Sequence, residues 1–287
     1  MQKFTLITER DFTDKFNEFN NVLRLNFRSF AKLGKWLLCM PVLLGIFLYY
    51  VVDREMQASV FGVFDHIGAD NATAVFIFGI LLCFCSCVAS ALFLVLLKPF
   101  FEGKIDADEI DIRKTDWQPM ARILPHTLVP IVFGCALVAI FTRTVFMFFA
   151  IVPLSAILLF YNITVCVAMF EGDKKYVSTR RVFSLIMQEL PDSIGFVVAM
   201  SILGLMLPVV FSIPLIVVGD LKMVMLRGSD TDFMLELVCC LSAILSVMSF
   251  MVYCLFIAVA AVIQYGSAVE RVDNVSFNRN LKNFDNL

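Results

Sequence analysis

The stretch 234–263, MLELVCCLSAILSVMSFMVYCLFIAVAAVI, decides the fold class of this chain. Glu236 is its only charged residue, and the run exceeds the roughly 20 apolar residues that carry a helix across a bilayer. Five more long apolar runs lie at about 36–52, 73–97, 123–141, 145–170 and 195–219. The sequence therefore predicts an all-α integral membrane bundle of six transmembrane helices.

The composition supports a membrane environment. Of 287 residues, 60% are hydrophobic and 17% are charged, whereas soluble domains average roughly 45–50% apolar and about 25% charged residues. One soluble core of this size cannot bury so much apolar surface. A soluble enzyme, a disordered chain and a nucleic-acid-binding domain are therefore excluded.

The distribution of Lys and Arg predicts the orientation. Most of these residues lie in the N-terminal segment, in the loops after the second and fourth runs, and in the C-terminal tail. The connections on the other side hold only Arg54, Arg143, Lys222 and Arg227. We expect both termini in the cytoplasm, with an amphipathic segment 1–35, a six-span domain 36–265 and a tail 266–287.

An aromatic stripe and a basic stripe precede the first run. The aromatic residues share one helical face and are Phe12, Phe16, Phe19, Phe27 and Phe30, and with Leu23 between them this stripe recurs at steps of three and four. The basic residues recur at steps of four on another face and are Arg24, Arg28 and Lys32. This pattern is typical of an interfacial helix on an anionic leaflet, so these eight residues form a predicted lipid-contacting surface. A cytoplasmic helix packed against the bundle would use the same apolar stripe.

Amphipathic stretches also precede the third and fifth runs, at 117–125 and 179–187. Each is followed by an odd-numbered span, and an even-numbered span returns the chain. We interpret this pattern as three helix-hairpin units of the same orientation, which is a parallel pseudo-repeat.

Both ends of the chain carry a resemblance to known proteins. The stretches RDFTD at 10–14, LRLNFR at 23–28 and QYGSAVER at 264–271 resemble an uncharacterised family of bacterial multi-pass inner-membrane proteins. More distantly, the alternation of amphipathic helix and span is similar to the membrane domain of some glycerophosphodiester phosphodiesterases. The resemblance implies a bacterial inner (plasma) membrane location and brings no activity with it.

Polar residues at membrane depth are costly and are candidate functional sites by default. His126 enters the third run ahead of Pro130, and Asn162 lies within the fourth. Pro208 and Pro214 interrupt the fifth run and are candidate hinges. A hydrogen bond at the membrane boundary would also explain His126, and an interhelical one would explain Asn162.

No catalytic or metal-binding constellation is apparent. Cys83 and Cys87 share a helical face without further ligands, and the acidic loop 102–116 lacks the spacing of a calcium loop. We expect no cofactor and no enzymatic activity. The expected partners are membrane lipids and other membrane proteins or a second copy, without nucleic acid.

Two functions fit these features. The first is a non-enzymatic scaffold, assembly or accessory protein of the membrane, which a close-packed bundle with an apolar flank would favour. The alternative is a transporter or channel for a lipid or other apolar solute, which a continuous cavity around Pro130, Asn162 and Pro208 would favour.

Overall fold

The computed structural model describes residues 6–37, 41–50, 69–104, 110, 115–128, 130, 132–133, 151–171, 179–188, 190–225 and 233–273. The protein is all-α, since these ranges hold helices and short connections and no strand. In chain order the helices are α1 (Phe12–Leu37), α2 (Pro41–Tyr50), α3 (Ala69–Phe101), α4 (Gln118–Ile123), α5 (Ile151–Phe170), α6 (Thr179–Gln188), α7 (Leu190–Met225) and α8 (Phe233–Asp273). A 3₁₀ turn, Leu124–Thr127, continues directly from α4.

Among the described residues, three helices are long and apolar enough to cross a membrane. They are α3 over Ile77–Phe101, α7 over Ile194–Pro214 and α8 over Phe233–Asp273, and they coincide with the second, fifth and sixth apolar runs. The first and fourth runs appear as shorter apolar helices, Pro41–Tyr50 and Leu159–Phe170. Residues 134–141 of the third run lie outside the described residues.

Helix α8 is the centre of the bundle. It contacts α7 most extensively, and also α1, α3, α5 and α6. From residue 257 to residue 270 every side chain is buried, and small residues such as Ala258 and Ala261 let the surrounding helices approach closely. Its 41 residues make a rod about 60 Å long at 1.5 Å per residue. This is roughly twice the thickness of a bilayer core.

The ends of two helices differ from the boundaries expected from the sequence. Helix α8 continues to Asp273, so residues 266–273 belong to the bundle and not to a tail. Hydropathy falls after residue 263, but neighbouring elements bury the remaining turns and the helix persists. Helix α1 runs to Leu37, past the expected start of the first span.

Helix α7 continues through both of its prolines. Pro208 and Pro214 each lack the N–H that closes a helical turn, and both lie inside the uninterrupted helix. The hydroxyl of Ser212, between them, donates to the carbonyl oxygen of Pro208 at 2.6 Å. The same Oγ lies 2.6 Å from Oγ of Ser246 on α8. A polar contact thus connects α7 to α8 at the turn between the prolines.

Helix α2 joins the bundle through a close approach to α8. A Cβ atom added at Gly45 would lie 2.5 Å from Cα of Ile244, so only glycine allows this separation. Beside this contact lies a small core cluster of Leu44, Ala89, Val247 and Met251. The cluster connects α2, α3 and α8.

Candidate functional site

A pocket of about 360 Å³ lies between the segment that follows α4 and the first half of α5. One wall consists of His126, Pro130 and Phe133, whose spacing of four and three places them on one helical face. The facing wall consists of Ala156, Ile157, Phe160, Tyr161 and Thr164 on α5. Two helical faces that would ordinarily interdigitate are therefore held apart here.

Prolines explain the unusual backbone of the first wall. Pro125 lies in the 3₁₀ turn, which is narrower than an α-helix and rises further per residue. Pro130 has no N–H to donate to the carbonyl of His126, four residues earlier. The hydroxyl of Thr127 donates to the carbonyl oxygen of Leu124 at 2.7 Å and so supports the turn. This local geometry displaces the segment from regular helix packing.

The pocket wall contains no Asp, Glu, Lys or Arg and is almost entirely apolar. Its two hydroxyl groups donate within the protein: Tyr161 to the carbonyl oxygen of Cys87 at 2.9 Å, and Thr164 to that of Phe160 at 2.7 Å. The remaining polar group of the wall is the half-buried imidazole of His126. The pocket is therefore suited to an apolar guest.

At the other end of α5, Arg181 joins two carboxylates. Its Nε donates to both carboxylate oxygens of Glu171 at 3.1 and 3.2 Å, and its two Nη atoms donate to Asp273 at 2.9 and 2.5 Å. Tyr265 donates to the same Glu171 at 3.2 Å and stacks on Phe170. We call these five residues the Arg181 cluster. It ties together the ends of α5 and α8 and the start of α6.

The electrostatics of this cluster keep its cation charged. Hydrogen bonding to Asp273, and then to Glu171, raises the pKa of the Arg181 guanidinium, although partial burial opposes the shift. Since an arginine side chain is protonated in proteins even without such partners, the guanidinium holds its proton at any pH used for proteins. The Arg181 cluster is therefore suited to holding α5, α6 and α8 together.

The segment before α1 crosses the last turns of α8. The backbone N–H of Arg10 donates to Oγ of Ser267 at 3.4 Å, and this hydroxyl lies 3.4 Å from the carbonyl oxygen of Arg10. The carbonyl oxygen of Leu6 lies directly over Gly266, where a Cβ would collide with it. Burial lowers the pKa of the Arg10 guanidinium, while Glu18 and Asp14 oppose the shift.

The structure separates the candidate polar and hinge residues. His126 and Pro130 line the same pocket. Asn162 is buried on α5 and Pro208 is buried on α7, and neither is part of that pocket wall. Pro214 is exposed. The pocket thus contains Pro130 but does not connect it with Asn162 and Pro208.

The predicted lipid-contacting surface of α1 also makes contacts within the protein. Phe19 is buried and its ring meets that of Phe256 edge to face at 6.0 Å, while the half-exposed Phe12 contacts Phe196 at 6.1 Å. Phe16 packs against the core, and Arg24 is exposed. The side chains of Phe27, Arg28, Phe30 and Lys32 lie outside the described residues. Contact with lipid remains a prediction for this surface.

Two features of this region are not evident from the sequence. The α5 wall of the pocket went unnoticed because Phe160, Tyr161 and Thr164 fit an ordinary apolar helix face. The Arg181 cluster is not evident from the sequence, because Arg181 is one of several basic residues between two apolar runs. A signal was present, since Glu171 follows directly after an apolar run.

Metal chemistry has no support in the part of the chain that the structure describes. There, no group of three or more His, Cys, Asp or Glu side chains is placed to hold a metal ion. Comparisons with protein-family models, with curated proteins and with solved structures found no match to this chain.

Proposed function

We propose that this chain is a bacterial inner-membrane protein that acts without enzymatic activity as a scaffold, assembly or accessory subunit. The observation that carries the proposal is an apolar flank on α7 and α8. Its exposed side chains include Leu203, Met206 and Val210 on α7, and Val238, Leu241 and Leu245 on α8. Such a surface requires cover by lipid or by another apolar surface.

The packing behind this flank supports a structural role. Helix α8 packs against α1, α3, α5, α6 and α7 and against α2 at Gly45. Its contacts with α7 include the Ser212–Ser246 pair. A rigid support with a fixed apolar face suits binding to a partner within the membrane.

We further propose six spans with both termini in the cytoplasm. Three spans are supported by α3, α7 and α8, and the other three apolar runs would supply the rest. In the proposed pseudo-repeat, α1 precedes α2, α4 precedes the third run and α6 precedes α7. The excess of Lys and Arg at the end where α6 begins and α8 ends supports a cytoplasmic location for that end.

Affinity purification in mild detergent tests the scaffold proposal. We expect a membrane protein, or a second copy of this chain, to co-purify in a fixed ratio. Met206→Trp on the flank should reduce this ratio, because added bulk disturbs a close apolar interface while keeping the helix apolar. Phe84→Trp is the matched control, since Phe84 is also exposed but lies on α3. Recovery of lipid alone with the wild-type chain would contradict the proposal.

Transport of a lipid or other apolar solute is the second candidate, and the pocket at His126 and Pro130 is the observation that favours it. Transport would need the pocket to connect with a path across the bundle. An assay of fluorescent phospholipid exchange between the leaflets of reconstituted vesicles separates the two functions. The scaffold proposal expects the exchange rate of protein-free vesicles, whereas a protein-dependent increase would support transport.

A further inference from the structure

We propose that the pocket between the segment 126–133 and α5 binds one acyl chain of a membrane phospholipid. This inference goes beyond the scaffold role, and it rests on the third span proposed above. It commits to a phospholipid of the surrounding bilayer, of which one chain enters the pocket while the other remains among the bulk lipids.

The size of the pocket limits the occupant. Its volume of about 360 Å³ is at the lower end of ligand pockets in proteins, which span roughly 300–1,000 Å³. One flexible hydrocarbon chain fits this volume, whereas a whole two-chain lipid does not. The lining residues on α5 extend from Ala156 to Thr164, which is about 12 Å along a helix.

The chemistry of the wall selects a hydrocarbon. Tyr161 and Thr164 already donate their hydroxyl hydrogens to backbone carbonyls, and the wall contains no Asp, Glu, Lys or Arg. Water gains few hydrogen bonds in such a space, and apolar cavities of this kind stay dry. An acyl chain would replace the missing dispersion contacts along Ile157, Phe160 and Pro130.

The position of the pocket gives a lipid direct access. Leu124, Leu128 and Phe133, on the same segment as one wall, are all more than half exposed. These side chains belong to the proposed third span and its entry, so they would face the acyl region of the bilayer. A chain can therefore enter sideways from the membrane without crossing water.

The residues before the pocket are of the types found at the level of lipid headgroups. Trp117 is 41% exposed, and Arg122 lies in the last turn of α4, one turn before His126. Tryptophan and basic residues are characteristic of the membrane–water interface. The half-buried His126 lies between this level and the apolar depth of the pocket, as expected where headgroup and chain meet.

A photoreactive lipid tests the proposal on the full chain. The protein is reconstituted in phosphatidylcholine vesicles containing phosphatidylglycerol with a diazirine on one acyl chain, and the adducts are mapped by peptide mass spectrometry after illumination. We expect adducts on 126–133 and 156–164 that saturate with probe. Unlabelled phosphatidylglycerol should reduce them, whereas added fatty acid should not. Adducts on the exposed flank of α7, around Val209, provide the unsaturated background of surface lipid.

Two variants that fill the pocket provide a second test of the proposal. Ala156→Trp and Ile157→Phe should each lower the saturable adducts by about tenfold, because excluding even two methylenes from a binding site shifts its affinity by this much. Leu81→Trp is the matched control on the exposed face of α3 and should leave these adducts unchanged. Each variant is first compared with the wild type by size-exclusion chromatography and thermal unfolding.

The wild-type map decides the matter even if the filled variants do not fold. Adducts spread evenly over pocket and flank, or adducts that do not saturate, would overturn the proposal. Competition by fatty acid alone would also overturn it, since the occupant would then be a free acid. A folded Ala156→Trp or Ile157→Phe protein with wild-type adducts would overturn it as well.

Discussion

Arg181 shows how much one side chain contributes to the arrangement of helices. Its planar guanidinium contacts the carboxylates of Glu171 and Asp273 at the same time, and charge-assisted pairs of this geometry are stronger than neutral hydrogen bonds. Its side chain is only 23% exposed, so solvent screens the pairs incompletely. Arg180, the preceding residue, is exposed and provides a matched comparison.

We expect Arg181→Ala to lower the free energy of unfolding by about 2–3 kcal/mol, since two carboxylates lose their charged partner. Arg181→Lys should recover only part of this loss, because an ammonium group cannot reproduce the fork-shaped contact. Thermal unfolding in detergent measures the effect. Arg180→Ala is the control, and an equal loss in both variants would show that the Arg181 cluster has no special role.

Gly266 lies at the contact between the N-terminal segment and α8. A methyl group at this position would collide with the backbone of Leu6, and backbone cannot move aside as a flexible side chain does. We expect Gly266→Ala to displace the segment and cost about 1–3 kcal/mol, detected as faster protease cleavage before residue 10. Gly195→Ala is the control, because a Cβ there meets nothing within 4 Å. Equal cleavage rates in the two variants would contradict this contact.

At the scale of elements, α1 shows what sequence periodicity can and cannot determine. The steps of three and four between Phe12, Phe16 and Phe19 correctly predicted a helix and its apolar face. They could not show which surface covers that face, because lipid tails and Phe256 satisfy an aromatic ring equally well. Lys15, on the same face, is fully buried, and periodicity gave no indication of this.

We expect Phe19→Ala to lower the free energy of unfolding by about 3–5 kcal/mol, as for other large side chains in a core. Leu25→Ala on the same helix should change it by less than about 0.5 kcal/mol, because Leu25 is 68% exposed. Denaturation in detergent measures both. If Phe19 served only to anchor α1 in lipid, its replacement would leave the unfolding free energy unchanged, and this result would contradict the core contact.

Apolar composition located the long helices, but tertiary packing determined their ends and the pocket. The runs at 73–97, 195–219 and 234–263 coincide with α3, α7 and α8 because length and hydropathy alone define such helices. Helix α8 extends further because other helices cover its polar last turns, which include Gln264 and Glu270. The pocket arises because two helical faces are separated, and no residue pattern predicts that separation.

At the scale of the whole molecule, the exposure of α8 changes along its length. The exposed side chains of α8 up to Val252 are apolar, whereas its later turns are enclosed and include Ser267 and Glu270. The part of α8 beyond Val252 therefore has its own cover of helices. The two halves of α8 therefore differ: the first carries exposed apolar side chains, and the second is covered by other helices.

The proposed orientation can be tested with single added cysteines. We expect a membrane-impermeant maleimide to label Ser229→Cys in intact cells, but to label Thr8→Cys only after the membrane is broken, because positively charged segments stay in the cytoplasm. The native chain provides the background, since its cysteines lie within apolar runs. Labelling of Thr8→Cys in intact cells would contradict a cytoplasmic N-terminus.

The central position of α8 has a consequence for biosynthesis. The ribosome makes this helix after the seven other described helices, yet α1, α3, α5, α6 and α7 all pack against it. The contact between Arg10 and Ser267 spans 257 positions of the chain, and such distant contacts form late and slowly. Until α8 has been synthesised, the surfaces of the earlier helices that will contact it remain uncovered. During this time these helices are exposed to chaperones and proteases. A nascent chain interrupted before this helix would be a substrate for degradation.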